Sequence, residues 1–437
     1  MAPIKKDFEI AIIGGGIAGV ALAISLVKRN VPCTIYEKAH AFGEIGAGLG
    51  ITPNATRAMK ACDPVIYEVF DRVAQPDTLW TFFDGSDEKK DDEPIFTLGD
   101  AEAGIRGCHR AHFLDGMIQH LPKDVAKFNK QLDRVEEPYG PSGKLRMVFQ
   151  DGSTAEADAI VGCDGIKSRT REIVVGSDHP SATCRFTHKH CYRGLIPMDE
   201  ALEIIGKKQA MGSNLWSANK RHIVTYPVAN GTILNIVMHC TSDGDWPSST
   251  NFVLPVGEEG CYADSEGLSP RLRQLVKRMK SVDRWGLFDL GDHPVPTFSR
   301  GRICLIGDAA HASTPHQGAG AGLCIEDAAT LASLLADDRV EGRDDISAAF
   351  AAYDQCRRDR GHRLVEGSRR IGELYEGQTE VGKDFKAIEN EVRTKAKDIW
   401  EFDINESIHH SLGDLEGRLA VKTGAMNYRQ GNFRAGL

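Results

Sequence analysis

The six residues Phe8 to Ile13 (FEIAII) end in Gly14-Gly15-Gly16-Ile17-Ala18-Gly19, and a second apolar stretch, Ile17 to Lys28, follows directly. The first run has the length and branching of a buried strand, the second the length of a helix. Glycines spaced G-x-G-x-x-G between strand and helix each answer a steric demand. Gly14 permits a tight turn, Gly16 lets a ligand approach the backbone, and Gly19 lets the helix pack close to the strand. Pro32 to Tyr36 reads as the next strand and ends in Glu37, eighteen residues beyond Gly19. Such a βαβ unit points the free N–H groups of a helix N-terminus at an anionic group, while Glu37 can accept hydrogen bonds from a ribose 2′-hydroxyl. A dinucleotide site at the start of the chain is therefore expected, with the neighbouring Lys38 counted in it. NAD and FAD both fit the pattern.

Two later strands also end in an aspartate-bearing turn. Ala159 to Gly162 runs into Cys163-Asp164-Gly165, and Ile303 to Ile306 runs into Gly307-Asp308. After the second, a glycine-alanine run opens a helix. Between them, residues 176 to 284 hold HKHCYRGLIP, RHIVTYPV and TILNIVMHC, with the alternation and turn signals (Asn230-Gly231) of antiparallel sheet. At 437 residues more than one domain is expected, and the order of these segments makes the domains interleave. The polar stretches 84–94 and 241–250 read as solvated loops. The chain turns helical beyond residue 346, and the glycine- and arginine-rich tail from Lys422 is expected to be poorly ordered.

A net charge of -9 without a basic block argues against a nucleic-acid surface. Eleven scattered cysteines without a CxxC pair suggest reduced thiols in a cytoplasm-like compartment. Cys184, His188, His190 and Cys191 lie close enough in sequence to raise a metal cluster. Alternating strand residues account for them as well, and no metal is expected. The N-terminal apolar run and Ile17 to Val27 are too short for a membrane span. No Ser/His/Asp ordering, HExxH or P-loop supports a hydrolase or kinase.

The N-terminal fingerprint, GCDGIKSRTR (162–171) and GRICLIGDAAHASTPHQGAGAG (301–322) resemble the three ordered motifs of the flavoprotein aromatic hydroxylases, the class A single-component FAD monooxygenases. The likeness runs from about residue 8 to 376. It is strongest to salicylate hydroxylases and to fungal enzymes that hydroxylate and dearomatise phenolic polyketide aldehydes, through FGEIGAGLGITPNATRAM, GCDGIKSRTR, YRGLIP and PHQGAGAGLCIEDA. The resemblance implies an α/β, para-hydroxybenzoate hydroxylase-like fold. A Rossmann-like FAD domain (1–75, 98–175, 285–370) would interleave with a mostly antiparallel substrate domain (76–97, 176–284), followed by a C-terminal helical region (371–437).

It also implies residue roles. Asp308 would hold the ribityl chain, and Asp164 with Gly165 would lie near the pyrophosphate. Arg110 would reach the phosphate and ribityl region. Gly48 lies in a segment resembling one that lines the flavin, which Glu44 and Arg57 flank. Gly318, Ala319, Gly320, Ala321 and Gly322 would let backbone and helix N-terminus approach the isoalloxazine, whose reduced form carries negative charge. NADPH or NADH would reduce the flavin transiently, and dioxygen would add at flavin C4a to give a hydroperoxide that oxygenates an electron-rich ring. Arg193 and Tyr226, from the strand-rich segment, would hold a phenolate or carboxylate, and His316 would lie at the flavin's reactive edge. His311 reads as a packed helix residue. The expected substrate is a small phenol, with decarboxylating, dearomatising and simple hydroxylation all open. An epoxidase or hydroxylase of a non-aromatic isoprenoid is the alternative, a non-catalytic flavin binder a third class, and a homodimer is possible.

Overall fold

In a computed structural model, residues 5–43, 48–75, 79–99, 104–137, 143–280 and 282–434 are described. Ile10–Ile13, with all four residues buried, lies at the centre of a six-stranded sheet. The order is Ser299–Arg300, Ile303–Leu305, Ala159–Gly162, Ile10–Ile13, Cys33–Tyr36, Ala126–Lys127, parallel except for the first pair. Strands buried on both faces need apolar side chains throughout, which is why IAII and AIVG carry no alternation. The helices Ile17–Lys28 and Gly320–Ala336 pack against each other within the core that covers this sheet. All three motif-bearing strands therefore deliver their turns to the same, C-terminal edge, where α/β folds bind ligands.

A second sheet of eight strands runs Val253–Pro255, Asp283–Asp289, Arg185–Pro197, Ile233–Thr241, Arg221–Val228, Ser213–Ala218, Trp80–Asp84, Phe96–Leu98. All its pairings are antiparallel except Ser213–Ala218 with Trp80–Asp84. Because side chains alternate between faces, register assigns each residue. Trp216, Ile223, Ile236 and Met238 share the rear face, buried against Leu272, Leu275 and Val276 of the helix Pro270–Lys277. The front face then carries Leu215, His222, Val224, Tyr226, Val237 and His239.

Two expectations need correction. The stretch 84–94 is not simply solvated: Asp91 is 1% exposed and takes Arg271 at 2.6 Å, because a buried carboxylate needs a cationic partner. Residues 176–284 are mostly antiparallel sheet as expected, with the helices Met198–Ala210, Gly257–Asp264 and Pro270–Lys277 between the strands. The tail is not irregular: Ile404–Arg434 is one helix, packed against Ile346–Tyr375 through buried Ile404 and Leu415. All eleven cysteines are free thiols. Among the described residues, no helix is long and apolar enough to cross a membrane.

Candidate active site

The C-terminal edge of the first sheet and the front face of the second share one cavity of about 700 Å³. At the first sheet the backbone builds a cradle. Gly14 has φ +108°, and a Cβ there would lie 2.4 Å from the Cys163 carbonyl oxygen. At Gly19 a Cβ would lie 2.0 Å from the Gly14 carbonyl oxygen, so the helix can approach the strand only without one. Glu37 accepts hydrogen bonds from the Gly15 N–H at 2.6 Å and the Ala39 N–H at 2.8 Å, pinning the turn while lining the cavity. Lys38 is exposed beside it.

The other two motif turns differ in what their aspartates do. Asp164 is occupied by its own turn, accepting from Ser168 Oγ at 2.5 Å and the Thr170 N–H at 2.9 Å. Its role is to shape the Gly165 turn, at φ +74°. Asp308 instead presents an exposed side chain to the cavity, and its carboxylate accepts no hydrogen bond among the described residues. Its position is fixed from behind. Gly307 N–H donates to Asp327 Oδ2 at 2.9 Å, and that carboxylate also meets His311 Nε2 at 2.6 Å and Arg357 Nε at 2.8 Å. Burial would raise the Asp327 carboxyl, but His311, Arg357 and the Gly307 N–H outweigh it and hold it at about 2. His311 is thus a buried structural partner. Arg171, the last residue of GCDGIKSRTR, reaches the Asp308 and Ala309 carbonyls at 3.3 and 3.2 Å and ties the second motif to the third.

Gly318 has φ +60° and turns the chain from Pro315–Gln317 into the helix Gly320–Ala336, whose N-cap Ala319 offers no side-chain cap. Free N–H groups at that end face the cavity, which Gly318, Ala319, Gly320 and Ala321 line with Arg110 and Gly48. Gly322 lies elsewhere: a Cβ on it would come 2.9 Å from Ala55 Cβ, so it serves helix packing rather than the cavity wall. Arg57 bonds the Trp400 and Phe402 carbonyls and ties its helix to the C-terminal segment. Glu44 lies outside the described residues.

The front face of the second sheet supplies the opposite wall. The Arg193 guanidinium stacks over Trp285 at 4.7 Å. Tyr226 bears on the glycine ribbon of the first domain, with its ring over Gly107 and its hydroxyl over Gly48. Burial pushes the Tyr226 phenol up to about 12 against the opposing pull of Arg193, so it remains a proton donor at neutral pH. His316 sits between the two walls, packed on Gly372. Burial, then the neighbouring His222, lowers it to about 3, so it acts as a neutral imidazole.

Sequence reasoning missed His222, His239 and Glu376. His222 and His239 are directly opposed across their strands, with rings 4.4 Å apart and 7° from parallel. The alternation H-x-V-x-Y in RHIVTYPV and N-x-V-x-H in NIVMHC already put them on the face of Tyr226. The four residues of the metal question do not come together: Cys184 lies against Arg171, while exposed His188 sits at a bulge with φ +56°.

The FAD binding domain family matches residues 7–368. The chain is 41% identical to the FAD-dependent monooxygenase pigN of Monascus ruber over 430 residues, 95% of this chain and 98% of that protein. With the salicylate hydroxylase asL1 of Sarocladium schorii it shares 35% identity over 444 residues, 95% of this chain and 92% of that one. A solved salicylate hydroxylase substrate complex superposes with TM-score 0.81 at 29% identity, covering 94% of this chain and 98% of that one. The cradle that admits only glycine, the Asp308 carboxylate, which has no partner among the described residues, and the uncapped helix N-terminus suit the pyrophosphate, the ribityl chain and the negative charge of the reduced ring of FAD respectively. The chain belongs to the FAD-dependent monooxygenases of the aromatic hydroxylase family.

Proposed function

We propose that this monooxygenase hydroxylates a small phenolic substrate at the expense of NAD(P)H. The observation that carries the reading is the placement of Arg193 and Tyr226 on one sheet face, across a shared cavity from the FAD cradle. FAD, when bound, supplies electron transfer from NAD(P)H and activation of dioxygen. Gly14, Gly16, Glu37, Lys38, Gly48, Arg110, Asp308 and the backbone from Gly318 to Ala321 would hold it, with Gly19 and Gly322 setting the helix packing behind. Asp164 would shape the pyrophosphate side of the site.

The chain's own residues do the rest. The Arg193 guanidinium favours the ionised phenol, which is the more nucleophilic form, while Tyr226 donates a hydrogen bond to the same oxygen. Leu215, Val224, Val237 and Phe82 give the ring an apolar surface and exclude water. His316, neutral and beside Gly318, offers a hydrogen bond near the flavin's edge without adding charge. The polyketide-type likeness favours a phenolic aldehyde over salicylate.

The test is NAD(P)H oxidation by the purified enzyme across salicylate and resorcylic aldehydes, with product masses. Stimulated oxidation with gain of one oxygen is expected for a phenol, and loss of carbon would identify the decarboxylating reaction. Failure of every phenol would favour a non-aromatic substrate instead, whereas full phenol turnover by Arg193→Ala would remove Arg193 from the proposed site.

A further inference from the structure

We infer that His222, His239 and His316 form a binding site for a divalent transition metal, zinc foremost, in the wall of the chamber. Ligand atoms of the three side chains lie within 4.8 Å of one another. They come from three segments held independently. His222 and His239 are a directly opposed pair on adjacent antiparallel strands, the arrangement that brings Cβ atoms nearest in a sheet. His316 arrives from the turn Pro315–Gln317, its ring 5.0 Å from His239 and 5.4 Å from His222. Three nitrogens around one tetrahedral zinc lie about 3.3 Å apart, given Zn–N distances of about 2.0–2.1 Å. The ligand atoms need to close by up to about 1.5 Å, and the stacked His222 and His239 rings, 7° from parallel, must turn about their broad χ2 torsions to aim at one point.

The surroundings suit a ligand set. His222 Nδ1 meets Glu376 Oε1 at 3.2 Å, which fixes the proton on Nδ1 and leaves the Nε2 lone pair free. A carboxylate behind a histidine is the usual support of a metal-bound imidazole. Glu376 is itself buried and held by Thr241 Oγ1 at 2.6 Å and by Lys189, whose charge it absorbs. His239 Nδ1 is buried without a hydrogen-bond partner, and the buried His316 ring has no well-formed hydrogen bond beyond a loose approach to the Ser368 backbone, an unusual cost unless something else occupies them. Three neutral imidazoles select borderline ions such as zinc, nickel and copper over magnesium or calcium. All three residues line the cavity, so a fourth coordination position would open onto it. A second cluster, His190, Cys240 and Asp264, is different in kind: Asp264 Oδ2 is already taken by His190 Nε2 at 3.1 Å and Tyr192 Oη at 2.6 Å.

An ion held there would obstruct the substrate, so zinc is expected to inhibit. That competition rests on the proposed phenol site, whereas metal binding does not. The test is equilibrium dialysis of chelator-treated, FAD-loaded enzyme against zinc sulfate, with metal and flavin content measured per chain. Wild type should retain one zinc more than His222→Gln/His239→Gln, with at least a tenfold loss of affinity in the double variant. His190→Gln should retain as much as wild type. Equal retention by wild type and the double variant, or loss of the extra zinc only in His190→Gln, overturns the inference. Should the double variant lose its flavin or its cooperative melt, wild type alone decides: zinc must raise its melting temperature in a saturable manner, and absence of any shift at millimolar zinc sinks the site.

Discussion

The Tyr226 hydroxyl lies over the Cα of Gly48, where a methyl group would come to 1.9 Å from it. That contact joins the substrate sheet to the short ribbon Gly48–Ile51 and Arg106–His109 of the first domain. Gly48→Ala should therefore push the phenol ring out of place. A displaced hydrogen-bond donor costs on the order of 1–3 kcal/mol at the transition state, about ten- to a hundredfold in turnover. We expect Gly48→Ala and Tyr226→Phe to lower kcat/KM for a phenol by similar factors, measured by steady-state oxygen consumption. Unchanged kinetics in Gly48→Ala would show that the contact has no bearing on the reaction.

Arg193 should not be replaceable by lysine. Its guanidinium is stacked on Trp285, and a flexible ammonium would neither stack as well nor offer paired planar donors. Loss of a half-buried, hydrogen-bonding charge opposite a phenolate costs about 1.5–3 kcal/mol, and Arg193→Lys should recover only part of what Arg193→Ala loses. The pH profile discriminates further: without Arg193, kcat/KM should require higher pH, because the phenol then ionises unaided. A variant with wild-type rates at neutral pH would remove Arg193 from the site.

On the proposed reading Asp308 binds the flavin while Asp327 supports the turn from behind, and their variants should differ accordingly. Asp308→Ala removes a carboxylate free to accept ribityl hydrogen bonds, so FAD affinity should fall about ten- to a hundredfold while the apoprotein melts normally. Asp327→Ala leaves Arg357 and His311 facing a gap and should destabilise the fold itself by about 3–5 kcal/mol. Urea unfolding and flavin titration of both variants separate these outcomes. Equal loss of stability in the two would contradict the division.

What could be read along the chain follows from how local each constraint is. The roles of Gly14 and Gly19 are visible because their clashes arise within a few residues, and the alternation of RHIVTYPV places Tyr226 on a definite face. The His222–His239 pair needs strand register, which no single strand contains. Glu376 reaches the sheet from just beyond the helix Ile346–Tyr375, 154 positions after His222, so nothing near His222 announces it. Burial of Asp91 is hidden in the sequence because a run of acidic residues looks solvated until one of them meets Arg271. Gly322 sits in a glycine run with cavity-lining neighbours, yet helical geometry turns it toward Ala55.

The chamber histidines should make stability depend on pH. Burial lowers the basicity of His239, reinforced by His222 and His316, and burial brings His316 to about 3. An unfolded histidine titrates at about 6.5. Between those values the unfolded chain binds protons that the folded chain does not, so stability rises with pH up to about 6.5 and levels off above it. Each ring contributes at most about 1.4 kcal/mol per pH unit. Urea unfolding at pH 5 and pH 7 should show a smaller difference in His239→Asn than in wild type, and identical differences would contradict the burial of a neutral ring.

The most direct measurement compares wild type and Arg193→Ala, both loaded with FAD, for phenol-stimulated NAD(P)H oxidation and product mass. Wild type should consume NAD(P)H faster when a phenol is added and release a product containing one atom from dioxygen, and Arg193→Ala should lose most of that stimulation while keeping its flavin. Oxidation that no phenol accelerates, or a variant that oxygenates phenols as well as wild type, would contradict a phenol held across the chamber from the flavin.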